Sequence, residues 1–151
     1  MPEGLPPQAR HERLALAFDF GEKRIGIAAG DTLTRIAQPV GAVPAYGGRP
    51  DWPALERAVR DWQPRLLIVG VPYNMDGTEG RLTPVAREFG RELNRRFGLE
   101  VIEIDERLSS REAADRLRAQ RASGERKRRV RREDVDAEAA CVLLEQWLSG
   151  S

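Results

Sequence analysis

Apolar positions along this chain recur first with the tight spacing of strands and later with the wider spacing of helices. Leu14-Ala15-Leu16-Ala17-Phe18-Asp19-Phe20 is a short apolar run ended by Gly21, the pattern of a buried strand. Arg24 to Gly30 follows after a tight Gly-Glu-Lys turn, and Arg35 to Val43 follows the polar Asp31-Thr32-Leu33-Thr34. Connections this short join antiparallel strands, because a parallel crossover needs about a dozen residues. From Asp51 to Trp62 the spacing turns helical, with Leu55, Ala58, Val59 and Trp62 on one face and Pro53 in the first turn. Leu66 to Val71 is continuously apolar, as in a strand covered on both faces. Thr83-Pro84 reads as an N-cap followed by a proline at the first helical position; Val85, Phe89, Leu93 and Phe97 mark the helix and Gly98 ends it.

Leu99 to Ile104 reads as a further strand. Ser109-Ser110-Arg111-Glu112 fits a capping box for a helix reaching about Ala119, and a last helix is expected from Asp134, its N-cap, to Leu148. The order β-β-β-α-β-α-β-α-α predicts an α/β fold: a mixed sheet of three antiparallel strands followed by parallel crossovers, with helices on both faces. Residues 1–13 are polar and contain prolines, and are expected to form a disordered or loosely attached tail. Residues 14–151 then make one domain.

Three carboxylate positions do not suit a solvated surface. Asp19 lies inside an apolar strand, where an ionised carboxylate is costly unless paired, hydrogen-bonded or metal-bound. Hydrogen bonds to the amides of the Gly21–Lys23 turn are the plain alternative. Asp136 shares a helix face with Ala139, Ala140, Leu143, Leu144 and Trp147, so it points where the core-facing residues point, whereas Glu138 and Glu145 fall on another face and read as solvated. A first-turn carboxylate favoured by the helix dipole is the other reading of Asp136. Asp105-Glu106 closes a strand, and ligands in open α/β sheets bind beyond the carboxyl ends of strands. Alternation sends only one of that pair into a shared site, and a salt bridge with Arg107 is the ordinary reading.

Composition narrows the chemistry. One cysteine, Cys141, excludes an internal disulfide framework and a cysteine-cluster metal site, and one histidine, His11, argues against histidine-based zinc or acid–base chemistry. Cys141 reads as small core filler off the proposed metal face. Carboxylates meeting at a strand end make an oxygen-ligand site for Mg²⁺ or Mn²⁺. Two such ions ~4 Å apart support phosphodiester hydrolysis, one generating the attacking hydroxide and the other stabilising the leaving oxygen. No apolar run approaches the ~20 residues of a membrane-spanning helix, and the N-terminus has no apolar signal core, so a cytoplasmic protein without a membrane partner is expected.

Four blocks then become specific: Asp19-Phe20-Gly21-Glu22-Lys23-Arg24-Ile25-Gly26-Ile27-Ala28, Val69-Gly70-Val71-Pro72-Tyr73-Asn74-Met75-Asp76-Gly77-Thr78-Glu79-Gly80, Asp105-Glu106-Arg107-Leu108-Ser109-Ser110-Arg111-Glu112-Ala113 and Val135-Asp136-Ala137-Glu138-Ala139-Ala140. Through them the chain resembles the YqgF/RuvX family of Holliday-junction resolvases, also described as pre-16S rRNA nucleases, over residues 14 to 148. The resemblance implies a ribonuclease H-like fold and a metal-dependent nuclease, acting in DNA recombination and repair or in rRNA processing and ribosome biogenesis. It implies that Asp19, one acid of the Asp105-Glu106 pair and Asp136 form the catalytic metal site; Glu106 is the expected ligand, with Asp105 in reserve. Asp19 would bridge two ions. Two departures are small: Gly30 stands where the family often has Ser, and Ser110 where Thr is usual.

The same blocks suggest nucleic-acid contacts. Asn74 and the loop amides up to Gly80 are expected to meet a substrate phosphate, the alternative being an ordinary Asp-Gly turn. Lys23 or Arg24 is expected to neutralise a phosphate oxygen, the alternative being plain turn charges. From Arg111 to Arg132 there are ten basic and three acidic residues, so the rest of the chain carries a net −6. Arg126, Lys127, Arg128, Arg129, Arg131 and Arg132 read as a flexible clamp for a polyanion, beside the helix that carries Asp136. About six such contacts to duplex phosphates should cost on the order of 10³-fold in affinity between 50 and 200 mM salt.

The partner class is therefore nucleic acid, either branched DNA or structured precursor rRNA. A resolvase must cut two symmetric strands and is expected to act as a homodimer, whereas a processing ribonuclease can act as a monomer. Two other readings compete: a non-catalytic nucleic-acid-binding protein that retains the fold, and an ATPase of the actin and sugar-kinase type. The latter needs two such domains around a cleft, and 151 residues supply one.

Overall fold

The computed structural model describes residues 13–106, 115–120 and 131–150. Its elements are β1 (Leu14–Phe20), β2 (Arg24–Asp31), β3 (Ala37–Tyr46), β4 (Arg49–Pro50), α1 (Trp52–Trp62), β5 (Leu66–Val71), α2 (Thr83–Phe97), β6 (Glu100–Asp105) and α3 (Arg132–Gly150). Residues 115–120 are also helical; the expected capping box at 109–112 lies outside the described residues. The strands form one six-stranded sheet in the order β4-β3-β2-β1-β5-β6. β1, β2 and β3 run antiparallel in turn, and β5 and β6 run parallel to β1. Strand β1 is thus the switch point, with the meander on one side and the parallel crossovers on the other.

Period-two alternation along β1 divides the core. Leu16, Phe18 and Phe20 face α1 and α2, where they meet Leu55, Val59, Ala86, Phe89 and Leu93. Ala15 and Ala17 face α3, beneath Ala140, Cys141, Leu143, Leu144 and Leu148. The α3 side of the sheet is paved with small residues, because Gly26, Ala28 and Gly30 of β2 lie on it too. A Cβ on Gly30 would stand 2.7 Å from Cδ2 of Leu144, so glycine here lets the helix lie close. Among the described residues, no helix is long and apolar enough to cross a membrane.

Several expected boundaries move, each for a local reason. Arg35 has φ 62° inside a turn closed by Asp31, whose carboxylate accepts from the Leu33 and Thr34 amides. Strand β3 therefore starts at Ala37 rather than Arg35, and it continues to Tyr46 to pair with the short β4. Asp51 is the N-cap of α1, its side chain accepting from the Ala54 amide. Strand β6 lies one residue later than expected. Asp134 sits within the first turn of α3 rather than capping it, and accepts from the Arg131 amide.

Thr83 is not the N-cap of α2 either. It is helical and fully buried; its hydroxyl donates to the Pro72 carbonyl and accepts from the Gly80 amide at 2.8 Å. It thereby ties the start of α2 to the chain leaving β5. Replacing Thr83 by Val leaves a buried carbonyl and amide without this partner, at about 2 kcal/mol. The melting temperature should fall by roughly 4–8 °C, with most of the loss recovered by Thr83→Ser. Calorimetry showing an unchanged Thr83→Val would refute this bridge.

Glu138 corrects a second expectation. It is buried, at 4% exposure, rather than solvated, because Arg116 in the 115–120 helix reaches its Oε1 at 2.9 Å. The same guanidinium holds Glu145 at 2.7 Å. An isolated helical wheel could not show that another segment covers this flank of α3.

Candidate active site

Asp19 occupies the switch point, near the carboxyl end of β1. Its register partners are Gly26 on β2 and Gly70 on β5. Partners across a ladder share a face, so a glycine flanks the Asp19 side chain on either side. Each glycine leaves room for another acidic residue. A Cβ on Gly26 would lie 1.9 Å from the Asp136 carbonyl oxygen, which shows how closely the first turns of α3 press onto β2. A Cβ on Gly70 would lie 3.1 Å from Cβ of Glu106.

Alternation separates the two acids at the end of β6. Ile104 pairs with Gly70 and packs in the α3 cluster, so Glu106 falls on the Asp19 face. Asp105 pairs with Val71, which belongs to the opposite core, and points away from Asp19. The Glu106 amide donates to the Val71 carbonyl at 3.3 Å, which carries the ladder one residue past the strand.

Asp19 is 8% exposed, and its side chain is hydrogen-bonded to Glu106. Burial, the Glu106 hydrogen bond and the neighbouring Glu106 and Asp136 charges together hold its pKa well above the usual carboxylate range. Asp136 takes a different partner: Arg24 Nε donates to its Oδ2 at 2.5 Å, with both side chains about a quarter exposed. Among the described residues, no group of three His, Cys, Asp or Glu side chains stands together as a ready-made metal cage. The arrangement is an acid pair with a third acid nearby, the latter occupied by an internal cation. The residues nevertheless suit Mg²⁺ or Mn²⁺. The donors are all oxygen, and the Asp19–Glu106 pair carries a charge conflict that a divalent cation relieves.

The remaining expected contacts are placed as follows. Lys23 is exposed in the β1–β2 turn, and Arg24 is committed to Asp136. The Asn74 side-chain amide donates to Thr78 Oγ1 at 3.0 Å and to the Glu79 carbonyl at 3.3 Å, while Asp76 accepts from the Thr78 amide and hydroxyl. Asn74 therefore builds its loop, and Gly77 has the left-handed φ of 90° that the turn requires. Arg131 precedes α3 and Arg132 begins it. Arg126, Lys127, Arg128 and Arg129 lie outside the described residues. Cys141 is buried, and its thiol is pushed up to about 12 by burial and by the Glu138 and Glu145 charges, as suits a packing residue. Sequence reading missed Arg116 as the partner of Glu138, and it missed the pairing of Arg24 with Asp136, 112 positions apart.

Comparison with known proteins bears on this arrangement. The family described as "RuvX: Holliday junction resolvase" matches residues 13–150. A protein of Histophilus somni named "Putative pre-16S rRNA nuclease" is 46% identical over 132 residues, 87% of this chain and 91% of its own length. Two solved structures share the architecture: the T. thermophilus RuvC in complex with Holliday junction substrate and a Fowlpox virus resolvase in complex with substrate Holliday junction DNA. The first has a TM-score of 0.51 at 14% identity, covering 92% of this chain and 95% of its own. The second has a TM-score of 0.55 at 13% identity, covering 91% and 97%. At such identity the likeness is one of fold: an RNase H-like α/β sheet with helices on both faces.

Proposed function

Given that the chain belongs to the RuvX family, we propose that it is a metal-dependent nuclease that hydrolyses phosphodiesters in structured nucleic acid within the cytoplasm. The observation that carries this reading is the buried Asp19–Glu106 acid pair at the switch point of the sheet, with Asp136 beside it. Asp19, Glu106 and Asp136 would hold Mg²⁺ or Mn²⁺; Asp105 faces away and is the weaker candidate. The bound ions would supply an activated water and stabilise the leaving oxygen.

The chain's own groups then have distinct tasks. Burial shields Asp19 from bulk water. Arg24, now paired with Asp136, would be free to neutralise a phosphate oxygen if Asp136 were to hold a metal, and Lys23 stands exposed on the same turn. The loop amides near Asn74 and the basic run Arg126, Lys127, Arg128, Arg129, Arg131 and Arg132 would contact the phosphate backbone, positioning the strand without reading sequence.

The test is cleavage of labelled four-way DNA junction, linear duplex DNA, single-stranded RNA and structured precursor rRNA, each with Mg²⁺, Mn²⁺ or chelator. Cutting that stops with chelator is expected. A junction preference would favour a homodimeric resolvase, and an rRNA preference would favour a processing nuclease. Binding of every substrate with no cutting would refute the nuclease. The second reading, a nucleic-acid-binding protein without catalysis, draws support from the Arg24–Asp136 ion pair, which occupies one of the three acids.

A further inference from the structure

The β3–β4 hairpin carries a feature that the metal site does not use. Tyr46 is 68% exposed, an uncommon position for a large aromatic in a chain with 6% aromatic residues. Ala45 before it is buried in the core beneath α1 and α2, so alternation turns Tyr46 to the opposite face, the one that carries Asp19. Arg49 is its direct register partner across the hairpin and shares that face. From Asp19 the ladder leads through Gly26 to Ala42, and Tyr46 lies four residues further along β3, beyond the carboxyl end of β1. At ~3.3 Å per residue and ~4.8 Å per strand, Tyr46 stands about 16 Å from Asp19, within reach of a few nucleotides.

Backbone hydrogen bonds fasten the hairpin to its neighbour. Gly47 and Gly48 have φ of 63° and 84°, the primed turn that matches strand twist. The Ala45 amide donates to the Lys23 carbonyl at 2.8 Å and the Gly48 amide to the Glu22 carbonyl at 3.0 Å, which fastens the tip to the turn bearing Lys23. Lys23 and Arg49 are both exposed. An exposed aromatic face beside the Arg49 cation matches one ligand chemistry: an unpaired base on a phosphate chain. A base inside a duplex has no free face to offer, whereas a single-stranded or splayed nucleotide does.

We propose that the Tyr46-Gly47-Gly48-Arg49 tip is a nucleotide-stacking subsite. Tyr46 stacks on an unpaired base, and Arg49 holds the adjoining phosphate. The inference rests on the nuclease reading and deepens it, since it selects substrates with unpaired nucleotides a short distance from the scissile bond.

The experiment titrates the full chain, in chelator, into short single strands of DNA and of RNA carrying 2-aminopurine, and into the matching full duplexes. Wild type should quench the fluorophore in a single strand. Tyr46→Ala should abolish quenching and weaken single-strand binding by about 5- to 100-fold, while Tyr46→Phe retains both and duplex affinity is unchanged. Whichever sugar gives the stronger quench identifies the source of the base. Tyr46→Ala that quenches like wild type, or that weakens duplex and single strand equally, would overturn the subsite. Parallel cleavage assays in Mg²⁺ separate the two readings. Cutting without Tyr46-dependent quenching overturns the subsite alone, and quenching without cutting overturns the nuclease alone.

Discussion

Asp19→Asn should reduce metal-dependent cleavage by at least about 10³-fold and yet raise the melting temperature of the metal-free protein by about 5 °C. The two effects share one cause. Asp19 is buried between Glu106 and Asp136, and the fold holds its pKa well above the ordinary value. The folded chain therefore keeps a proton that the unfolded chain releases. Stability is lost as pH climbs from the ordinary carboxylate range through the raised folded-state pKa, and at neutral pH the native state bears that loss. Asparagine has no charge to desolvate and can still donate to Glu106, so the cost disappears together with the ligand.

Mg²⁺ binding only the folded state should raise the melting temperature of wild type and leave the variant where it is. Differential scanning in chelator and in excess Mg²⁺, beside single-turnover cleavage, reads all three effects. A variant less stable than wild type in chelator would contradict the charge conflict. A variant that still cuts would remove Asp19 from the site.

Gly26→Ala should be the most damaging single methyl on the sheet. The added Cβ would meet backbone rather than a flexible side chain: the Asp136 oxygen at 1.9 Å, its carbonyl carbon at 2.4 Å and the Ala137 nitrogen at 3.1 Å. Backbone in a packed helix cannot step aside locally, so the first turns of α3 must lift from β2. Overpacking of this kind costs about 3 kcal/mol, which corresponds to a fall of roughly 10 °C in melting temperature. The same displacement carries Asp136 away from Asp19, so cleavage should fall further than the loss of folded protein explains. Gly150→Ala is the control, because nothing lies within 4 Å of its added Cβ. If Gly26→Ala melted with the control, the close approach of α3 to β2 would be disproved.

Element type and order follow from hydrophobic period, because burial on one or both faces writes itself into the spacing of apolar residues. Strands β1, β2 and β5 and helices α1 and α2 are recovered almost to the residue on that basis. The oddity of Asp19 is visible for the same reason, a charge within an apolar run, as is the core-facing register of Asp136. Parity along β6 even contains the choice between Asp105 and Glu106, but only once the face that carries Asp19 is known.

The tertiary structure decided the rest, because it depends on which distant segments meet. Thr83 reads locally as a cap, yet it is a buried bridge to Pro72. Glu138 reads as solvated on its own helix, yet Arg116 covers it from another segment. Arg24 reads as a turn charge, yet it holds Asp136 across 112 positions. The exposure and facing of Tyr46 required the register of the β3–β4 hairpin. Local periodicity and the cost of burying charge make the sheet, the helices and the oddity of Asp19 legible in the sequence. Only the assembled sheet decided that Gly26 and Gly70 flank Asp19 and let Asp136 and Glu106 approach it, because close approach belongs to the space between chains far apart in sequence.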